Sequence, residues 1–152
     1  MAANARQLVG VDVSANMLAQ ARERKIYSRL EQQDLVPWMS AEPRQAYDLV
    51  IAADVLIYFG RLDEILKAAR RILRPAGAFA FSGESMGSSS GTESPPAEFR
   101  LNVTGRYSHS EAYLRRLAAE NDFRIEKHAA IQCRLERGIP VNGWLAVWRP
   151  AA

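Results

Sequence analysis

The chain has 152 residues, of which 48% are hydrophobic and 24% charged, with a formal net charge of +3. This is enough for one domain with its own core, and the balance is that of a globular protein rather than a disordered or fibrous one. No run of 18 or more apolar residues is present to span a membrane, and a single cysteine, Cys133, excludes an internal disulfide and a multi-cysteine metal site. The first residues do not read as an apolar leader, so a cytoplasmic protein is expected. The arginines cluster at Arg70, Arg71 and Arg74 and at Arg115 and Arg116, on segments with helical spacing. A solvated helix face explains them, and the lack of a basic stripe interleaved with aromatics argues against nucleic acid as a partner.

In chain order, Leu8-Val9-Gly10-Val11-Asp12 is a short apolar run ending in an acid and predicts a buried strand. Ser14 is a good helix cap, and Met17, Leu18, Ala21 and Lys25 keep helical spacing after it. A short strand is expected over 28–33, ending at Asp34, and Pro37 and Pro43 predict a loop. Asp48-Leu49-Val50-Ile51-Ala52-Ala53-Asp54 is apolar without alternation, the pattern of a parallel strand covered on both faces. Leu62, Ile65, Leu66, Ala69, Ile72 and Leu73 form one face of an amphipathic helix, which Arg74-Pro75-Ala76-Gly77 is expected to stop. A buried strand over 78–81 and a mobile Ser/Gly/Pro-rich loop over 83–96 follow.

Ser108-His109-Ser110-Glu111 reads as a capping box opening a helix with Tyr113, Leu114, Leu117 and Ala118 on one face, ending near Asn121 in a left-handed cap. Strands over 123–135 and 142–149 flank Gly138-Ile139-Pro140 as an antiparallel hairpin. Cys133 and His128 fall within the first of these strands, as structural residues. The order predicts an α/β fold, a mostly parallel sheet with a C-terminal antiparallel hairpin, as a single domain over 1–152.

An ordered set of motifs now coincides: Gly10-Val11-Asp12-Val13-Ser14 before a helix bearing Met17-Leu18, then Gln33-Asp34-Leu35, Tyr47-Asp48-Leu49-Val50-Ile51 and Ile72-Leu73-Arg74-Pro75-Ala76-Gly77. Over essentially the whole chain this resembles the class I methyltransferases, a Rossmann-like family that uses S-adenosylmethionine. Tyr58-Phe59-Gly60, Phe81-Ser82-Gly83-Glu84, Gly105-Arg106-Tyr107-Ser108-His109-Ser110 and Gly138-Ile139-Pro140-Val141 are similar to the bacterial members often fused to tetratricopeptide repeats, although no such repeat is visible. Ala76 departs from the family's usual second glycine, which matters only if that position needs a positive φ.

The resemblance implies S-adenosylmethionine as the methyl donor and assigns residues to it. Asp12, at the carboxyl edge of the sheet, would accept from the ribose diol; the bland alternative is a helix N-terminal charge. Asp34 would take the adenine amino group and the Leu35 N–H a ring nitrogen; the alternative is a turn-forming aspartate. Val13 and Met17 would pack on the adenosine, Met17 being equally readable as core. On the acceptor side, Asp54 and Tyr58 follow the central strand, Tyr58 as a catalytic or pocket-shaping aromatic. Arg106 and Tyr107 would meet the substrate, Arg106 alternatively pairing with a neighbouring carboxylate. His109 is a candidate general base if the acceptor is a hydroxyl or an amine, or else a solvated surface histidine. No metal is called for, and the methyl acceptor, small molecule or protein, is not specified.

The family also places an acid and a glycine-rich loop on a first strand upstream of Gly10-Val11-Asp12, between the strands at 8–12 and 48–53. Seven residues without a glycine precede Leu8. An N-terminally truncated domain is therefore expected, with weak or absent S-adenosylmethionine binding. The flanking strands then either close up or associate with another chain through their exposed edges. The competing function is a catalytically inactive Rossmann-like module kept for protein interaction. A nicotinamide-dependent dehydrogenase also suits an acid after a strand, but Asp34, the Leu-Arg-Pro-Ala-Gly segment and the terminal hairpin argue against it.

Overall fold

In the computed structural model, which describes residues 5–87, 97–136 and 138–151, the chain divides into two compact units, Met1–Glu42 and Pro43–Ala152. The first holds strand β1 (Val9–Asp12), helix α1 (Ala15–Glu23), strand β2 (Arg29–Gln32) and helix α2 (Leu35–Ala41). β1 and β2 pair in parallel, Asp12 opposite Gln32, so both strands point their carboxyl ends to one edge. The Ser14 hydroxyl accepts from the Met17 N–H at 3.3 Å and starts α1, while Lys25 falls beyond the helix with a φ of 51°. Pro37 does not mark a loop: it lies in the first turn of α2, where a missing N–H costs nothing because the helix has no partner for it.

The second unit carries strand β3 (Tyr47–Ala52), a 3-10 turn (Leu56–Tyr58), helix α3 (Asp63–Ile72), strands β4 (Leu73–Ser85), β5 (Phe99–Leu101) and β6 (Tyr107–His109), helix α4 (Glu111–Glu120), and strands β7 (Phe123–Glu136) and β8 (Ile139–Pro150). They form one six-stranded sheet in which β3 and β6 pair with β4 in parallel, and β8 pairs antiparallel with β4 and with β7. The predicted mixed α/β architecture with its terminal hairpin is present.

Several local expectations change. The segment 74–77 stops α3 but then enters β4 directly, with a register shift between Tyr47 and Leu49 absorbing the irregularity. Ala76 is not among the positive-φ residues, so alanine fits there without strain. β4 runs on to Ser85, and residues 88–96 of the expected loop lie outside those described. The cap of α4 is Ser110, whose hydroxyl accepts from the Tyr113 N–H at 3.2 Å. Ser108 is buried in β6 instead. The left-handed residue after α4 is Asp122, not Asn121.

The register sorts the sheet of the second unit into two unequal faces. Phe79 lies opposite Trp148 and Phe81 opposite Ala146, and all four are at most 1% exposed. Their rings interlock, Phe81 standing edge-on to Trp148 at 4.8 Å and stacking with Phe79 at 4.5 Å. Buried Ile65, Leu66 and Ile72 of α3 and Leu114 and Leu117 of α4 complete this core. Gly83 makes room for the Trp144 indole, into which an added Cβ would run.

On the other face, Ile51 pairs with Ala80 and Leu49 with Ala78, and Leu145 stands opposite Ser82. Leu49, Ile51 and Leu145 are 44%, 48% and 39% exposed. β3 is therefore covered on one face only, contrary to the reading of its unbroken apolar run. A helix on each side is what buries both faces of a parallel pair, and α3, the crossover between β3 and β4, serves one side. β1 pairs only with β2 and β3 only with β4, so each has an edge without a ladder partner among the described residues.

Candidate functional site

Two groups of predicted residues resolve, one in each unit. In the first unit, the parallel pairing brings the ends of β1 and β2 to one edge, tied by Gln32 Nε2 donating to the Val13 carbonyl at 3.2 Å. Asp12 is half-buried there, and its Oδ1 accepts the Ser14 N–H at 2.8 Å. That bond orients the carboxylate and leaves its second oxygen for a ligand. Asp34 is exposed, sits at the N-cap of α2, and makes no side-chain capping bond. Its carboxylate is not consumed by the local turn, which removes the main bland explanation for it. The Leu35 N–H is in the first turn, where the helix supplies no acceptor. Val13 and Met17 are 62% and 52% exposed. Met17 is thus no core residue; Leu18 fills that role at 3%. Two carboxylates, a free N–H and two uncovered apolar side chains at one edge suit a nucleoside: acceptors for its hydroxyl and amino donors, and an apolar platform for its base.

In the second unit, Asp54 follows the carboxyl end of β3 with a φ of 55°, and its N–H is held by Ser82 Oγ at 3.0 Å. Asparagine and aspartate tolerate this left-handed conformation better than most residues. Asp54 is exposed, and Tyr58, at the end of the 3-10 turn, is 62% exposed. Tyr107 is half-buried, edge-on to Phe99 at 6.1 Å. Arg106 is committed to a neighbouring carboxylate, Glu136, at 3.2 Å.

His109 requires correction. It lies in β6, not at a helix start, and is 1% exposed. Its Nε2 is 2.9 Å from the Phe59 carbonyl and 3.0 Å from that of Gly60. Carbonyl oxygens only accept, so Nε2 carries the hydrogen. Nδ1 is then the lone-pair nitrogen, buried with no partner. A general base must reach the proton that it takes; this imidazole instead ties the segment bearing Tyr58 to β6, stacked on Tyr113 at 6.0 Å. Tyr113 in turn accepts the Leu62 N–H at 2.8 Å, and burial pushes its phenol up to about 12.

Burial also holds the His109 pKa below the ordinary histidine value, against the opposing pull of the Gly60 and Phe59 carbonyls. Below about pH 6.5 the unfolded chain takes up a proton at this position that the folded chain refuses. The stability that neutral His109 contributes is thus complete above that pH and falls below it, by at most about 1.4 kcal/mol per pH unit for one proton. Urea denaturation from pH 7 down to pH 5 is expected to show that decline, and His109→Gln to flatten it. An unchanged pH slope in the variant would contradict the assignment.

Sequence reasoning missed a network at the carboxyl end of β4. Glu84 is 4% exposed and pairs with Arg134 at 2.6 Å, while Asn102 Nδ2 donates to its other oxygen at 3.4 Å. Partners 18 and 50 residues away leave no local signal. Cys133, half-buried in β7 as expected, has its thiol pKa raised by burial, which disfavours the thiolate. Among the described residues no group of three His, Cys, Asp or Glu is placed to hold a metal, and no helix is long and apolar enough to cross a membrane.

A family model described as a methyltransferase domain matches residues 1–79. Among solved structures, an S-adenosylmethionine-dependent methyltransferase from Methanosarcina mazei aligns with a TM-score of 0.70 at 13% identity, covering 95% of this chain and 82% of that one. The 1,6-didemethyltoxoflavin-N1-methyltransferase of Burkholderia thailandensis, solved with 1,6-didemethyltoxoflavin and S-adenosylhomocysteine, aligns at 0.68 with 12% identity, covering 97% and 72%. The [4+2]-cyclase SpnF aligns at 0.75 with 17% identity, covering 99% and 70%. No curated protein matches. At these identities the structures speak for the fold, and the family match speaks for descent. The chain belongs to the methyltransferase domain family, and its fold is that of the class I S-adenosylmethionine-dependent methyltransferases.

Proposed function

We propose that this chain takes part in methyl transfer from S-adenosylmethionine, the edge of β1 and β2 holding the adenosine end of the donor. The observation that carries this is the arrangement of Asp12 and Asp34, two carboxylates with free oxygens, beside exposed Val13 and Met17. Asp12 would accept from the ribose diol and Asp34 from the adenine amino group. The Leu35 N–H would meet a ring nitrogen, and the two apolar side chains would cover the purine. The donor supplies a methyl group already activated on a sulfonium, so the protein's part is to hold, align and keep water away. Asp54, Tyr58 and Tyr107 are the groups proposed to face the acceptor.

The reading is tested by titrating S-adenosylmethionine into the isotopically labelled chain and following amide resonances, a readout that works at any affinity. Saturable shifts that include Asp12, Val13, Met17, Asp34 and Leu35 are expected; no shift at these residues would end it.

A second reading, an interaction module, is favoured by the uncovered apolar face of β3 and β8. Fold alone does not dictate chemistry, and Leu49, Ile51 and Leu145 form an apolar surface that monomers seldom leave bare. The occupant proposed is a second copy of the chain. Light scattering is expected to report a dimer or larger species at high micromolar concentration, and Leu49→Lys with Ile51→Lys a monomer. A parent chain that stays monomeric would exclude self-association.

A further inference from the structure

The parallel ladder of the first unit stops at Asp12 opposite Gln32. Beyond it only Val13 and Ser14 precede α1, and only Gln33 and Asp34 precede α2. At the other end of the strand pair the backbone closes the gap, the Ser28 N–H donating to the Leu8 carbonyl at 2.8 Å. At the carboxyl end a side chain closes it: Gln32 Nε2 donates to the Val13 carbonyl at 3.2 Å, across 19 residues of sequence. Among the described residues no other side-chain hydrogen bond joins these two turns.

The two carboxylates flanking this link are held unequally. Asp12 is pinned by the Ser14 N–H at 2.8 Å, whereas Asp34 makes no side-chain capping bond and is placed by its backbone. The separation of Asp34 from Asp12 therefore depends on how the turn after β2 sits against the turn after β1. Gln32 sets that relation, and its bond also fixes the backbone of Val13, whose side chain is 62% exposed. Gln32 is itself exposed, so the bond adds little to the packing of the unit. For a ligand that meets one carboxylate, the separation is immaterial. For a ligand that meets both, a separation fixed in advance removes part of the cost of ordering the site.

We infer that Gln32 is a positioning residue that sets the spacing of Asp12 and Asp34, so that the edge of β1 and β2 favours nucleosides presenting a ribose diol and an exocyclic amino group together. It acts through the Val13 carbonyl and the two turns rather than by touching the ligand. The inference rests on the donor reading above, which takes these two carboxylates as the groups that meet the nucleoside. Losing one neutral hydrogen bond of this kind is expected to cost a bridging nucleoside about three- to tenfold in affinity.

The test uses the labelled 152-residue chain and three probes: adenosine, purine riboside, which lacks the amino group, and dideoxyadenosine, which lacks the diol. The amides of Asp12, Val13, Asp34 and Leu35 report binding. Gln32→Met keeps the length of the side chain without its donor, and Gln32→Ala removes the side chain altogether. Both variants are expected to weaken adenosine about three- to tenfold and each analogue at most about twofold. A merely structural role would weaken all three probes alike, and amide spectra without ligand check the fold. The inference is overturned if both variants bind adenosine like the parent, or if the analogues lose as much as adenosine does. A parent chain whose four amides ignore adenosine removes the donor reading and this inference with it. A parent that binds adenosine, with variants that bind it equally well, removes the role of Gln32 alone.

Discussion

Asp12→Asn is expected to weaken S-adenosylmethionine binding by roughly ten- to a hundred-fold while leaving the fold unchanged. The substitution keeps an oxygen that accepts the Ser14 N–H, so the local turn at 2.8 Å survives. What it removes is the charge and the second acceptor that a ribose diol would use. Hydrogen bonds to a charged partner contribute about 1.5–3 kcal/mol, which sets the range quoted. Asp34→Asn loses a single bond to the adenine amino group and should cost less, about five- to tenfold. The amide titration measures both, and intact spectra in the absence of donor check the fold. If both variants titrate like the parent, the carboxyl edge of β1 and β2 is not where the donor sits.

Trp148→Ala is expected to be the most damaging single change to stability. Trp148 is 0% exposed and stands between Phe81 at 4.8 Å and Phe123 at 5.8 Å, on the one sheet face that the helices cover. Truncating a buried aromatic removes its transfer free energy and leaves a cavity, typically about 3–5 kcal/mol. Domains are stable by only about 5–15 kcal/mol, so this loss takes a large part of the margin. The second unit is especially exposed to it, because its other face, with Leu49, Ile51 and Leu145, contributes little burial. Urea unfolding followed by fluorescence should show a midpoint far below the parent's. A shift of less than about 1 kcal/mol would mean that the core is not organised around this indole.

The same contrast separates what could be read along the chain from what could not. Residues 62–73 carried their apolar stripe in full view, and the helix formed with that stripe buried. Asp12 and Asp34 were legible because one ends β1 and the other follows β2 by two residues, and parallel strand ends meet at one edge whatever the packing elsewhere. His109 was not legible. A Ser-His-Ser-Glu string looks like a helix cap, but pairing with β4 and β5 drew it into a short strand, and two carbonyls 49 and 50 residues away took its Nε2. β5 and β6 were missed for the same reason: three residues each are too few to show a period.

By itself, the sequence determined the main strands and helices in their order, though not α2, β5 or β6, together with the methyltransferase descent and the two acids at the first edge, since these depend on local spacing and chain order. Tertiary structure alone decided that β3 is covered on one side, that His109 is buried with its Nε2 on two carbonyls, and that Glu84, Asn102, Arg106, Arg134 and Glu136 form one network. Those outcomes rest on contacts between residues far apart in the chain, and no local pattern encodes which distant partner will satisfy a buried charge.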